Sequence, residues 1–316
     1  MRPILGIALL VGTIGCGAGP GEQSHSVGLV ASAASAGRGT GMGMGMGMGG
    51  PSAEHLGRML FFDANLSLEA NQSCSTCHGA NVGWSGPDAA ANRAGGVYEG
   101  SVAGRFGNRK PPSTAYAMRS PALAYDPVSG FYGGNFTDGR ATGWKLGSAV
   151  ADQAGGPFLN PVEQALPDAA AVLQRVCDAH YGRMFRMLWG ADACSDVETG
   201  YAAVARSIAA FESSAEVSPY SSKYDAVLRG QAQLDPQEQL GLELFHGKAH
   251  CSTCHTSAAS DGEAVVFSDF GFDNIGVPKN PRNPFYRMDK VENAGAPINP
   301  AGSDWVDLGL GAFLEQ

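Results

Sequence analysis

Cys74-Ser75-Thr76-Cys77-His78 and Cys251-Ser252-Thr253-Cys254-His255 are two copies of one five-residue word in a chain of 316 residues. Two cysteines separated by two residues admit three readings: half of a zinc ribbon, a dithiol redox pair, or a haem attachment point. A ribbon sets its two C-x-x-C units about 15–20 residues apart, whereas Cys77 and Cys251 are 174 positions apart. A dithiol pair needs no histidine after it, and here both copies have one. The third reading accounts for every residue of the word. The cysteines form thioether bonds to the porphyrin vinyl groups, and the following histidine ligates iron through its neutral nitrogen. Each copy therefore predicts one covalently bound c-type haem.

The flanks agree. Asp235-Pro236-Gln237-Glu238 reads as an N-cap, a proline at the first helical position and a capping-box glutamate. Leu240, Leu244 and Phe245 then line one face just before the second word. Leu56, Met59, Leu60 and Phe61 do the same before the first. A third helix is expected to start at Ser195, with Glu198 completing its capping box and Val204, Ile208 and Phe211 as its core stripe.

Outside these segments the text is simpler. The apolar run from Ile4 to Ile14 is too short to span a bilayer and fits the core of an export signal over residues 1–15. Cys16 stands where a lipobox cysteine would stand, and the lipid-modified reading is favoured over ordinary cleavage near Ala31-Ser32-Ala33 or Ala34-Ser35-Ala36. Residues 16–51 are rich in Gly, Ser and Met and read as a flexible tether. Their Gly-Met alternation fits low complexity better than a Cu(I) site. The expected location is the periplasm, with a lipid anchor at Cys16.

Seven cysteines can be accounted for. One takes lipid and four hold haem. Cys177 and Cys194, 17 positions apart, bracket a helical stretch and should pair in an oxidising compartment. The formal charge of −9 comes with no Lys/Arg cluster, so a nucleic-acid role has no support. Hydrophobic residues make up 44%, enough for a core, and no segment alternates in the manner of a sheet protein.

Several segments then fall into a familiar order. Leu56-Gly57-Arg58-Met59-Leu60-Phe61-Phe62-Asp63, Asp138-Gly139-Arg140, Gln153 through Glu163, Ile208-Ala209-Ala210-Phe211-Glu212 and Gly271 through Val277 resemble the bacterial di-haem cytochrome c peroxidases. The MauG-type protein-oxidising enzymes share that superfamily. The resemblance implies a mainly α fold of two cytochrome c-like haem domains, here residues 52–216 and 217–316. It implies that hydrogen peroxide reacts at the haem of Cys74, Cys77 and His78. It implies that electrons enter through the haem of Cys251, Cys254 and His255 from a small cytochrome c or cupredoxin. It makes Glu163 the distal carboxylate that moves the proton, with Gln153 lining the same pocket. The alternatives are a MauG-like oxidation of residues in a protein substrate and a non-enzymatic di-haem electron carrier.

Three departures matter. Classical members close the first haem with a distal histidine, but none occurs between His78 and His180, so that haem is expected to be five-coordinate or water-ligated. The tryptophan usual before Asp-Gly-Arg is Thr137, with Trp84 and Trp144 as candidate replacements. The family continues to a methionine or tyrosine that ligates the second haem, so the C-terminal domain reads as truncated at Gln316 and the sequence as a fragment or an unusual member. Met288 is a weak stand-in for that ligand. A calcium site between the domains reads as incomplete, with Lys110 where an Asn ligand is expected. His55, His180, His246 and His250 read as surface or packing residues.

Overall fold

A computed structural model describes residues 51–257 and 264–314. The export signal, Cys16 and the tether up to residue 50 lie outside the described residues. The described chain is mainly helical and belongs to one contact-defined unit.

Its centre is helix α7, Val197–Glu212, on which Val204, Ile208 and Phe211 are buried to 1% exposure or less. Burying each such side chain contributes about 1.5–3 kcal/mol, which makes this stripe the main fastening of the core. Helix α1, Ala53–Phe61, is capped by Ser52 Oγ, which accepts from the His55 amide at 3.0 Å. It buries Leu56, Leu60 and Phe61 against α7. Gly57 makes that approach close: a β-carbon there would lie 1.8 Å from the Ser207 carbonyl oxygen. Phe61, Trp84 and Phe211 meet edge-to-face, with ring centroids 5.2–5.7 Å apart.

Asp196, not Ser195, caps α7; its carboxylate accepts from the Thr199 amide at 3.1 Å. Ser195 instead donates to the Asp192 carbonyl, closing the preceding turn.

Helices α4, Ala149–Leu159, and α5, Ala169–Asp178, also pack on α7 and start at the side-chain caps Ser148 and Asp168. Helix α6, Gly182–Trp189, follows α5, and a disulfide from Cys177 in α5 to Cys194 in the turn after α6 closes a loop that contains α6. In the chain-entropy model a loop of this size is worth about 3 kcal/mol. The double variant Cys177→Ser, Cys194→Ser should lose that amount in urea unfolding. An unchanged midpoint and slope would show that the bridge adds nothing.

The smaller elements are α2, Cys74–Cys77; α3, Ala89–Ala94; α8, Lys223–Leu228; α9, Pro236–His246; and α10, Leu310–Phe313. Two short antiparallel ribbons pair β1, Ala124–Asp126, with β2, Gly130–Tyr132, and β3, Glu292–Asn293, with β4, Ala296–Pro297. Helix α9 begins as its sequence predicts, with Asp235 accepting from the Gln237 and Glu238 amides and Glu238 returning a bond to the Asp235 amide. Its apolar face does not enter a core: Leu240 is 55% and Leu244 37% exposed.

The last described segment folds back on residues 93–109. Asn283 donates to the Asn108 carbonyl and Arg282 to that of Arg93, while Phe285 and Met288 pack with Val162. Arg109 is the polar fastening. Its guanidinium holds Asp307 through two nitrogens and Asp138 at 2.7 Å. Burial would raise the Asp138 carboxyl, but Arg109 and Arg140 outweigh it and hold it below the usual range; Arg109 does the same for Asp307. Arg109→Ala should destabilise by about 2 kcal/mol, less than a fully buried pair because Asp307 is partly exposed. Depressed carboxyl values give stability that is present above the ordinary aspartate range and lost as pH falls through the lowered values. The gap between wild type and variant should therefore close in acid; equal stability at neutral pH would contradict it.

Candidate haem site

Helix α2 is a single turn, and its spacing puts the sulfurs of Cys74 and Cys77 on one cavity wall. The Ser73 amide donates to Thr76 Oγ1 at 3.0 Å, fixing where that turn begins. His78 follows at once. Its amide donates to the Cys74 carbonyl at 2.9 Å, and its ring Nδ1 lies 3.0 Å from the Pro112 carbonyl and 3.3 Å from that of Trp84. A carbonyl can only accept, so Nδ1 carries the proton and Nε2 keeps its lone pair. This is the second-shell arrangement that orients a metal-binding imidazole. Burial also lowers the pKa of His78, which keeps the ring neutral.

Cys74, Cys77 and His78 line a cavity of about 1100 Å³, part of it open to solvent. Gln153 of α4 and Glu163 line it too, together with Arg140, Phe136 and Thr137. All five residues expected at the first haem site from haem attachment and from the family's distal pocket thus line one cavity. Glu163 sits in the turn after α4: its amide donates to the Asn160 carbonyl at 3.0 Å, and its own carbonyl accepts from the Ser101 amide at 2.7 Å. Burial pushes the Glu163 carboxyl up, with Arg140 and Asn160 pulling it partly back. Arg140 stacks 3.7 Å over the Phe136 ring and pairs with Asp138 at 2.6 Å. Phe136 has φ +62°, a left-handed conformation that costs a non-glycine residue energy and tends to occur at functional sites.

The donor set fits a haem. Burial pushes both thiols up, that of Cys77 to about 12 and that of Cys74 further. Neutral buried thiols do not suit a bare thiolate metal site, and they do suit covalent thioethers. The walls also carry orphaned polar atoms: among the described residues both amide atoms of Gln164 are buried without a partner. Native interiors rarely leave such atoms unpaired, so a bound polar-edged group belongs in the space. Gln164 did not stand out in the sequence, although it adjoins Glu163, which did.

The second motif is more open. His255 Nδ1 donates to the Phe267 carbonyl at 2.9 Å, so Nε2 is again free to ligate. Cys254 and His255 are exposed. Phe267, 37% exposed, packs on Phe245 beside them. Together with Leu240 and Leu244 it leaves apolar surface that a porphyrin would cover. Among the described residues the one cluster of three ligand-type groups is Cys254, Asp269 and Asp273, all exposed. The two C-x-x-C pairs do not converge on a common centre there, as a ribbon would require.

The secondary candidates resolve differently. Trp84 is a core residue stacked among Phe61, Phe62 and Phe211, while Trp144 is 67% exposed with its indole donating to the Leu123 carbonyl. Neither lines the cavity; Thr137 does. Met288 is buried, and its sulfur accepts from the Phe106 amide at 3.3 Å. It packs in the cluster of Val162 and Phe285. Lys110 donates to Ser85 Oγ at 2.9 Å.

A fold of helices on a haem-attachment turn, with a carboxylate and an amide across one cavity, defines a class of c-type haem protein. The profile described as di-haem cytochrome c peroxidase matches residues 51–233, and the chain belongs to that family. It is similar to the methylamine utilization protein MauG of Paracoccus denitrificans, 38% identical over 81% of this chain and 61% of that protein. It is also similar to the cytochrome c551 peroxidase of Nitrosomonas europaea, 29% identical over 75% of this chain and 60% of that one. The crystal structure of the diheme peroxidase BthA from Burkholderia thailandensis superposes with a TM-score of 0.71 at 31% identity, covering 84% of this chain and 62% of that one. The chain thus spans about three fifths of the length of these relatives.

Proposed function

We propose that the protein is a periplasmic di-haem c-type peroxidase that reduces hydrogen peroxide to water at the cavity over His78. Electrons arrive through the haem of Cys251, Cys254 and His255 from a small cytochrome c or cupredoxin. The observation that carries this reading is the presence of Glu163 and Gln153 on the walls of the cavity that also holds Cys74, Cys77 and His78. In this reading residues 1–15 are the export signal, 16–51 the tether anchored by lipid at Cys16, 52–216 the peroxide-reactive domain and 217–316 the electron-entry domain.

When bound, the haem supplies an iron to which peroxide adds and the electrons that cleave it. The chain supplies the proton management. A Glu163 carboxylate can take the proton from one peroxide oxygen and return it to the other, which then leaves as water. Gln153 offers an amide to orient the oxygens. A calcium ion between the domains would need another ligand in place of Lys110, which sets a cation where an oxygen is expected. The test is steady-state peroxide consumption by the holoprotein with reduced cytochrome c. Saturable turnover supports the reading, and turnover no faster than free haem counts against it.

A second reading is oxidation of residues in a protein substrate. The higher identity to the MauG of Paracoccus denitrificans than to the cytochrome c551 peroxidase of Nitrosomonas europaea favours it, as does the lack of a histidine between His78 and His180. Thr137, in the place of the usual tryptophan, weighs on the other side. A peroxide-dependent mass change in a co-expressed partner protein would distinguish it.

A further inference from the structure

We propose that Glu212 binds a proton from solvent when an electron arrives at the haem of Cys74, Cys77 and His78, coupling the two uptakes one to one. Glu212 is the last residue of α7 and is 3% exposed. It lines the same cavity as the haem-attachment residues, and its Oε2 is buried with no hydrogen-bond donor. A carboxylate left so is costly, and an unpaired buried acid is stable only when it is protonated or faces a positive charge. Both states are within reach here. Burial pushes this carboxyl up to about 8, and its charge is felt at Cys74.

The surrounding charges leave it in that condition. The cavity presents Glu163, Arg140, Arg109, Lys110, Glu99 and His78. Arg140 and Arg109 are drawn to Asp138, and Lys110 to Ser85. From the elements packed on α7, Arg58 pairs with Glu216, and Asp152 accepts from the amides of Lys145 and Leu146. Arg119 stands on the short turn packed against α7; Arg175, Asp178 and Asp192 come from α5 and the turn before α7. The step balances simply: the ferric haem gains one electron from a one-electron donor protein, and the Glu212 carboxylate gains one proton to become a carboxylic acid. Linkage then requires the reverse, so that protonating Glu212 favours the reduced haem. Glu163 is left free for the proton that peroxide itself carries.

This inference rests on haem attachment at residues 74–78 and not on peroxide turnover. The test is spectroelectrochemical titration of the full-length holoprotein from about pH 6 to about pH 10, the range spanning the raised carboxyl. A c-type absorption spectrum first establishes the haems. One reduction potential should then fall with rising pH in the wild type and in Glu163→Gln, and stay level in Glu212→Gln. A slope that survives in Glu212→Gln, or that vanishes in Glu163→Gln, overturns the proposal. Should Glu212→Gln fail to fold, the redox-difference infrared spectrum of Glu163→Gln decides: a protonated-carboxyl band must appear on reduction, and its absence overturns the proposal.

Discussion

Glu163→Gln should lower kcat/KM for hydrogen peroxide by about 10²- to 10⁴-fold, the usual contribution of a positioned general acid–base, while both c-type haems stay attached. The amide keeps the shape of the side chain but cannot take a proton. The surroundings of Glu163 suit the proposed role: the turn at Asn160 fixes its backbone, the residue lines the cavity, and burial raises its pKa. The sign of the pH dependence follows. A raised carboxyl becomes protonated, and so unable to accept the peroxide proton, at a higher pH than an ordinary glutamate. Wild-type activity should therefore fall off on the acid side above the usual carboxylate range, and that limb should disappear in the variant. Stopped-flow peroxide kinetics across pH read both effects. Wild-type rates in the variant would remove Glu163 from the reaction.

Gly57→Val should cost more stability than any single truncation in the core, above about 3 kcal/mol. The β-carbon alone would sit 1.8 Å from the Ser207 carbonyl oxygen and 3.0 Å from the Phe211 β-carbon. Both belong to α7, which is already held by α4 and α5. Relief therefore requires α1 to move off, exposing Leu56, Leu60 and Phe61. The same α1–α7 contact carries the Phe61–Trp84–Phe211 group, and the Trp84 carbonyl holds His78. Loss of stability should thus come with weaker ordering of the first haem. Chemical denaturation together with the haem absorption spectrum checks this; a variant as stable as wild type would mean that the helices are not so close.

What the sequence made legible was local. The α9 start at Asp235, Pro236 and Glu238 depends on bonds within four residues, and it forms as read. The α7 start was missed by one residue because Ser195 and Asp196 both offer capping oxygens, and the serine hydroxyl is taken by the preceding turn. The haem motif carries its own geometry, so Cys74, Cys77 and His78 could be named directly. Glu163 and Gln153 came from a family pattern, because nothing local distinguishes a pocket carboxylate from a surface one. Gln164 was illegible for the same reason, and Glu212 appeared only as the end of a family segment with no role attached: residues remote in sequence bring both to the cavity wall. Leu240 and Leu244 show the converse. Their apolar period is real, but it marks a face without protein cover, beside a motif that takes a large apolar group.

The two haem sites should differ, the His78 site being the one open for chemistry. The most direct measurement is the EPR spectrum of the oxidised holoprotein before and after peroxide is added without prior reduction. A high-spin ferric signal that peroxide removes is the expected result. Two purely low-spin haems, both indifferent to peroxide until reduced, would contradict it.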